Sequence, residues 1–160
     1  MRSTNNLLFL SDEELRETIE MLFFAYRDFT DVTNDILRQY NFGRAHHRAI
    51  YFIGRNPGIT VNNLLDILKI TKQSLNRVLR TLLEQDIVSQ EQSQQDKRMK
   101  HLTLTNKGEK LEQELTDMQK KLIAGAYKKA GIENVHGFKY ILSMLLQEGV
   151  NKDRFSRHEQ

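Results

Sequence analysis

Residues 59–108, ITVNNLLDILKITKQSLNRVLRTLLEQDIVSQEQSQQDKRMKHLTLTNKG, leave few folds open, because their hydrophobic period passes from helical to alternating and back to helical. Thr60 can cap a helix reaching residue 69 whose apolar residues are Leu64, Leu65, Ile67 and Leu68, and Thr71 can cap a second through about residue 85. Two capped helices a few residues apart predict a helix-turn-helix. In the second helix Leu75, Val78, Leu79, Leu82 and Leu83 make an apolar stripe that must face a core. Its other face carries Lys72, Gln73, Asn76, Arg77 and Arg80, with no acid between Lys69 and Arg80. Amide and guanidinium groups match base edges and phosphates in a major groove. An ordinary solvated helix face is the competing reading.

The residues after this helix favour nucleic acid. Ile87 and Val88 lead into the polar run Ser89 to Gln95, and Leu102, Thr103 and Leu104 resume the alternation, so a two-stranded hairpin with a long polar tip is expected. The tip ends in Asp96, Lys97, Arg98, Met99 and Lys100, a positive loop of the kind a minor-groove probe requires. Asp96, two residues before Arg98, is expected to orient that guanidinium; the plainer alternative is an exposed ion pair worth under ~1 kcal/mol.

The run DKRMKHLTLTNKG over residues 96–108 resembles the D-x-R…L-x-L-T-x-x-G wing signature of the MarR family of bacterial transcriptional regulators. Upstream, NPGITVNNLLDILKITKQSLNRVLRTLLEQDIV is similar to that family's order of Pro-Gly turn, short helix, recognition helix and wing strand. Within the family, RAHHRAIYFIGRNPGITV followed by ILKITKQSLNRVL resembles the PetP/LdtR-like branch. The resemblance covers residues 44–111 by motif and the whole chain by helix order. Two positions depart from the family pattern: Thr81 stands where many relatives carry a second arginine, and Asp86 where a glycine is usual before the wing strand.

Charge and composition bound the rest. The 160 residues make one domain's worth of chain, and an apolar share of 39% suits a partly elongated molecule that completes its core with a second copy. The net charge of +3 is too small for a bulk argument about nucleic acid. All of it resides in residues 69–101, where Lys69, Lys72, Arg77, Arg80, Lys97, Arg98 and Lys100 stand against Glu84, Asp86, Glu91 and Asp96. Without cysteine there is neither a disulfide framework nor a thiol switch. The N-terminal apolar run is too short for a signal peptide, and no stretch is long enough to span a bilayer, so a cytoplasmic protein without a membrane partner is expected.

Along the chain, Leu7, Leu8, Phe9 and Leu10 precede a cap at Ser11 with Glu14 placed for a capping box, and one long helix is expected over residues 12 to about 40. A second, over 44–55, carries RAHHRAIYFIGR and stops at Asn56, Pro57 and Gly58. Either His46 or His47 faces inward there as a scaffold ring; neighbours on a helix point about 100° apart and cannot together chelate one ion, so no metal is expected. Thr105 can cap a helix from 106 to about 130, and a last helix is expected from 133 to about 148 with Phe138, Ile141, Leu142 and Leu145 on a broad apolar face. The predicted division is an N-terminal dimerisation helix (1–43), a winged helix-turn-helix lobe (44–105) and C-terminal helices completing the dimerisation domain (106–160). The fold is therefore expected to be mainly α, with long terminal helices forming an intertwined homodimer through Leu7, Leu8, Phe9, Leu10, Phe138, Ile141, Leu142 and Leu145. Such a dimer presents two recognition helices about 34 to 36 Å apart to a pseudo-palindromic site.

Position by position, the resemblance implies that Thr71 caps the recognition helix and that Lys72, Gln73, Ser74, Asn76 and Arg77 meet bases and phosphates of double-stranded DNA. Gln73 and Asn76 suit adenine, and Arg77 a guanine or a phosphate. Arg98 matches the minor-groove arginine with Asp96 beside it, and Lys97 and Lys100 suit phosphates. The departures shift weight to Arg77, Arg80 and the wing. The resemblance also implies release by a small aromatic or amphipathic effector, for which Tyr26, Phe29, His47 and Tyr51 are the candidate lining. The alternative function is a winged-helix protein-interaction adaptor whose surface is the glutamine-rich hairpin, including Gln90, Gln92, Gln94 and Gln95. An enzyme is disfavoured: the chain has no cysteine nucleophile, no G-x-S-x-G, no phosphate-binding glycine loop and no H-E-x-x-H, and no cofactor is expected.

Overall fold

The first expected helix is two helices. The computed structural model, which describes residues 8–147, 149 and 155, opens with a 3-10 turn (Leu8–Leu10), after which Ser11 Oγ accepts the Glu14 N–H and starts α1 (Asp12–Asp31). Leu7 lies outside the described residues. The break falls at Val32 and Thr33, and α2 (Asn34–Gln39) follows. Thr33 is fully buried and its hydroxyl donates to the Thr30 carbonyl at 3.0 Å, a local side-chain bond that competes with the helical ladder. The turn redirects the chain so that Ile36 and Leu37 are buried, whereas no residue of α1 is.

α3 (Arg44–Arg55) buries His47, Ala49, Ile50 and Ile53. A two-residue strand β1 (Ile59–Thr60) leads directly into α4 (Val61–Leu68), where Thr60 Oγ1 accepts the Asn63 N–H at 3.2 Å. That helix closes on Lys69 in the left-handed conformation, φ +52°. Thr71 Oγ1 accepts the Ser74 N–H at 3.1 Å and opens α5 (Lys72–Glu84), the second helix of the helix-turn-helix. The hairpin is β2 (Val88–Gln92) and β3 (Lys100–Leu104), and Thr105 Oγ1 accepts the Gly108 N–H to start α6 (Asn106–Ala130). Gly131, at φ +80°, separates α6 from α7 (Ile132–Leu145). The last helix stops sooner than expected because Leu146 is already extended, at ψ 132°.

The hairpin is the antiparallel pair that alternation implies, and it gains an edge: the sheet runs β1-β3-β2, with Ile59 opposite Leu102 on one side and Gln90 opposite Leu102 on the other. Leu102 is fully buried at this centre, together with Ile50, Ile53, Leu64, Leu75, Leu82, Ile87, Leu111 and Leu115. Each such side chain contributes about 1.5 to 3 kcal/mol by leaving water. Glycine is obligatory at one point. A Cβ on Gly108 would overlap the Ile87 carbonyl oxygen, so the start of α6 lies directly on the chain entering β2.

The terminal helices differ from this core. α7 buries only Val135, and Leu8, Phe9, Leu10, Phe138, Ile141 and Leu145 are each about half exposed or more, with Leu142 somewhat less.

Candidate nucleic-acid interface

The exposed face of α5 is dictated by its buried one. With Leu75, Val78, Leu79 and Leu82 committed to the core, 3.6-residue geometry turns Lys72, Gln73, Ser74, Asn76, Arg77 and Arg80 to solvent, and all six are exposed. Thr71 contributes as a cap: its oxygen accepts the Ser74 N–H and its hydroxyl donates to Ser74 Oγ at 2.9 Å. Thr81, standing in place of a second arginine, is turned back on its own helix and donates to the Arg77 carbonyl at 3.2 Å.

The C-terminal end of α5 is tied to two other parts of the chain. Gln85 Nε2 donates to the Tyr40 carbonyl at 3.1 Å, and Lys107 Nζ donates to the Gln85 carbonyl at 2.8 Å. A cation at a helix C-terminus is favoured by the unsatisfied carbonyls there. Thr105 Oγ1 donates to the Asp86 carbonyl at 2.6 Å, and Asp86 itself is left-handed, φ +58°. Sequence reasoning passed over Gln85 and Lys107, because their partners lie 45 and 22 residues away. The unusual Asp86 was visible, and its positive φ is why a glycine suits that position.

The wing turn corrects one expectation. Asp96 does not hold the Arg98 guanidinium; its Oδ1 accepts the backbone N–H of Arg98 at 2.9 Å. Ser93 Oγ accepts the N–H groups of Gln95 and Asp96, the Ser93 N–H donates to the Met99 carbonyl at 2.9 Å, and the Gln92 amide donates to the Lys97 carbonyl. The turn is thus closed by its own polar groups, an Asx-type arrangement that commits the carboxylate to backbone. Lys97, Arg98 and Lys100 are exposed, and among the described residues the ion pairs fall on α1, α2, α3 and α6, none on α5 or the wing. Two patches of cations therefore keep their charge for an outside partner. At the base of the wing His101 Nδ1 lies 2.9 Å from the Gly58 carbonyl; since a carbonyl only accepts, that nitrogen carries the proton and ties β3 to the turn before β1.

The four aromatic candidates for an effector site are distributed unevenly. His47 is 8% exposed, and its Nδ1 lies 3.4 Å from Thr33 Oγ1, which brings α3 against the joint between α1 and α2. Burial pushes the His47 pKa below its usual value, and the nearby Glu112 carboxylate opposes that in part. Phe29 is half-buried, and its carbonyl accepts from Gln119 Nε2 on α6 at 3.4 Å. Tyr51 is half-buried and packs edge-on against Phe52, while Tyr26 is exposed on α1. His46 is scaffold: its Nδ1 accepts the Gly43 N–H at 3.1 Å and its ring stacks on Phe42 at 4.9 Å, and burial lowers its pKa as well. Arg44 reaches across to Asp31 at 2.9 Å, tying the end of α1 to the start of α3 and, with Asn34, holding the Asp31 carboxyl below its usual range.

Comparison with known proteins adds to this geometry. Residues 40–99 match a family described as the MarR family. The chain is 49% identical over 146 residues to the HTH-type transcriptional regulator PetP of Rhodobacter capsulatus, covering 91% of this chain and 88% of that protein. Among solved structures it is similar in fold to Streptococcus pneumoniae FabT in complex with DNA (TM-score 0.72, 21% identity, 82% of this chain and 94% of that one). It is similar also to NadR in complex with 4-hydroxyphenylacetate (TM-score 0.68, 22% identity, 91% of this chain and 97% of that one).

Proposed function

The chain belongs to the MarR family of transcriptional regulators, and from that premise we propose that it acts as a homodimer which binds a pseudo-palindromic operator in double-stranded DNA and is modulated by a small aromatic or amphipathic effector. The observation that carries this reading is the pair of exposed cation-bearing elements, α5 and the wing, that have no acidic partner of their own among the described residues. α5 enters the major groove, where Gln73 and Asn76 suit adenine and Arg77 a guanine or a phosphate. Lys72, Ser74, Arg80, Lys97 and Lys100 meet phosphates, and Arg98 enters the minor groove. Thr71 and Asp96 act through the backbone, one by capping α5 and the other by fixing the turn that carries Arg98.

The second copy covers the bare faces of α1 and α7, including Leu8, Phe9, Leu10, Phe138, Ile141, Leu142 and Leu145. Twofold symmetry then sets two α5 helices at successive major grooves. The effector, an aromatic acid of the kind seen in the NadR complex, binds where α1, α3 and α6 meet, near Phe29, His47 and Tyr51 with Tyr26 at the rim. It shifts the dimer only by binding better to a lobe spacing that misfits DNA. The protein works in the cytoplasm, where its DNA is.

The test is binding to the labelled intergenic fragment upstream of the protein's own gene at two salt concentrations with unlabelled nonspecific competitor. Arg77→Ala and Arg98→Ala are each expected to cost ~1 to 3 kcal/mol while leaving the fold intact. Affinity that is indifferent to salt, or to both substitutions, would overturn the reading.

A further inference from the structure

The uncovered large apolar side chains fall into two groups. From Leu8 to Tyr26 and from Met118 onward they belong to the terminal elements, where a second copy has a use for them. Between residues 27 and 117 there is one among the described residues, Met99, 42% exposed at the end of the wing turn. Its position is not left loose. The Met99 N–H donates to the Asp96 carbonyl at 2.9 Å and its own carbonyl accepts the Ser93 N–H at 2.9 Å, so the backbone on both sides of the side chain is fixed before any partner arrives. Lys97, Arg98 and Lys100 surround it in sequence, all exposed and without an ion-pair partner among the described residues.

One apolar side chain set among three free cations repels another copy of itself and matches a polyanion that also has an apolar edge. The minor groove of DNA is such a surface, since its walls are deoxyribose C–H groups between rows of phosphates, and apolar side chains are used there beside arginines. Methionine suits the role because an unbranched thioether adapts to an irregular wall. We propose that Met99 is a DNA-contacting residue of this protein: it packs against the sugar wall of the minor groove beside the point where Arg98 enters, giving the wing an apolar contact as well as an electrostatic one. The inference rests on the reading of the chain as a DNA-binding regulator. It assigns Met99 a contact that carries no charge, and this separates it from its neighbours in a salt titration.

The experiment uses the full-length protein and a duplex that the wild type selects from a random library. Met99→Ala is expected to weaken binding about fivefold with an unchanged slope of log K against log salt, and Met99→Leu to stay within about twofold of wild type. Arg98→Ala lowers the slope by about one. In parallel, peroxide oxidation of the methionines is followed by mass spectrometry of the free and DNA-bound protein; Met99 is expected to be protected at least about threefold in the complex. Binding by Met99→Ala within about twofold of wild type overturns the contact, and so does equal oxidation of Met99 with and without DNA. Failure of the wild type to select any duplex would bring down the DNA-binding reading along with it; selection by the wild type followed by either negative result removes the Met99 contact alone.

Discussion

The segment from α2 to the first half of α6 and the terminal helices are built from similar residues and treat them oppositely. In the first, each apolar stripe meets another: Leu64 of α4, Leu75 and Leu82 of α5, Leu102 of β3 and Leu111 of α6 are all essentially inaccessible. In α1 and α7 the same 3- and 4-residue spacing leaves Ile19, Phe23, Ile141 and Leu145 more than half exposed. The difference teaches that helical amphipathicity states only that a face must be covered, and the covering surface need not belong to the same chain. Stability of the first region is a property of one molecule, while under the proposed homodimer that of the second is tied to concentration.

The first region breaks most severely at the contact that closes it. Gly108→Ala drives a methyl group into the Ile87 carbonyl, against backbone that cannot swing aside as a side chain would, so a loss of more than about 3 kcal/mol is expected. Urea unfolding followed by circular dichroism reads it, and a loss below about 1 kcal/mol would mean that α6 can lift off β2 without consequence. Next in size is a matched pair. Leu64→Ala should cost about 2 to 5 kcal/mol at every protein concentration, since its cavity lies wholly within one chain. Ile141→Ala combined with Leu145→Ala should instead act through association, lowering the midpoint most in dilute solution and shifting sedimentation toward the monomer. A double variant whose loss is the same at every concentration would overturn the second copy as the cover of α7.

A smaller effect separates the regions by pH. Burial depresses the pKa of His46 and His47, which lie at the α1–α2–α3 junction. A depressed histidine takes up its proton in the unfolded chain first, so the unfolded state binds more protons and stability falls as pH drops below the ordinary value near 6.5. Their contribution is fully present above that value. His47→Phe is expected to flatten the fall between about pH 7 and 5, and thermal midpoints across that range decide it. A variant as pH-sensitive as the wild type would assign the dependence to other groups.

Legibility in the sequence tracks the range of the interactions. Thr60, Thr71 and Thr105 each cap a helix through the N–H three residues on, so the starts of α4, α5 and α6 could be read locally. The cation-bearing face of α5 was legible because its apolar stripe fixes where the other side chains point. The break at Thr33 was hidden because the apolar spacing continues across it, and β1 because a two-residue strand is defined by its distant partner, Leu102. The role of Asp96 was misjudged for a related reason: charge pairing is visible in a sequence, whereas a carboxylate bound to a backbone N–H depends on turn geometry.

The smallest expected effect lies between the recognition helix and the wing. Asp86 sits between α5 and β2 at φ +58°, with its carbonyl held by Thr105 and its N–H donated to the Leu83 carbonyl at 3.1 Å. A side chain in the left-handed region costs about 1 to 2 kcal/mol, somewhat less for Asp, and glycine occupies it freely while adding entropy to the unfolded chain. Asp86→Gly should therefore stabilise the protein by about 0.5 to 1 kcal/mol, and it also removes one acid from the link between α5 and the wing. If relief of the strained turn outweighs the removed charge, the gain is the same in high and low salt; if the charge matters more, the gain changes as salt is added. A destabilised Asp86→Gly protein would mean that the Asp86 side chain itself helps to hold the end of the recognition helix.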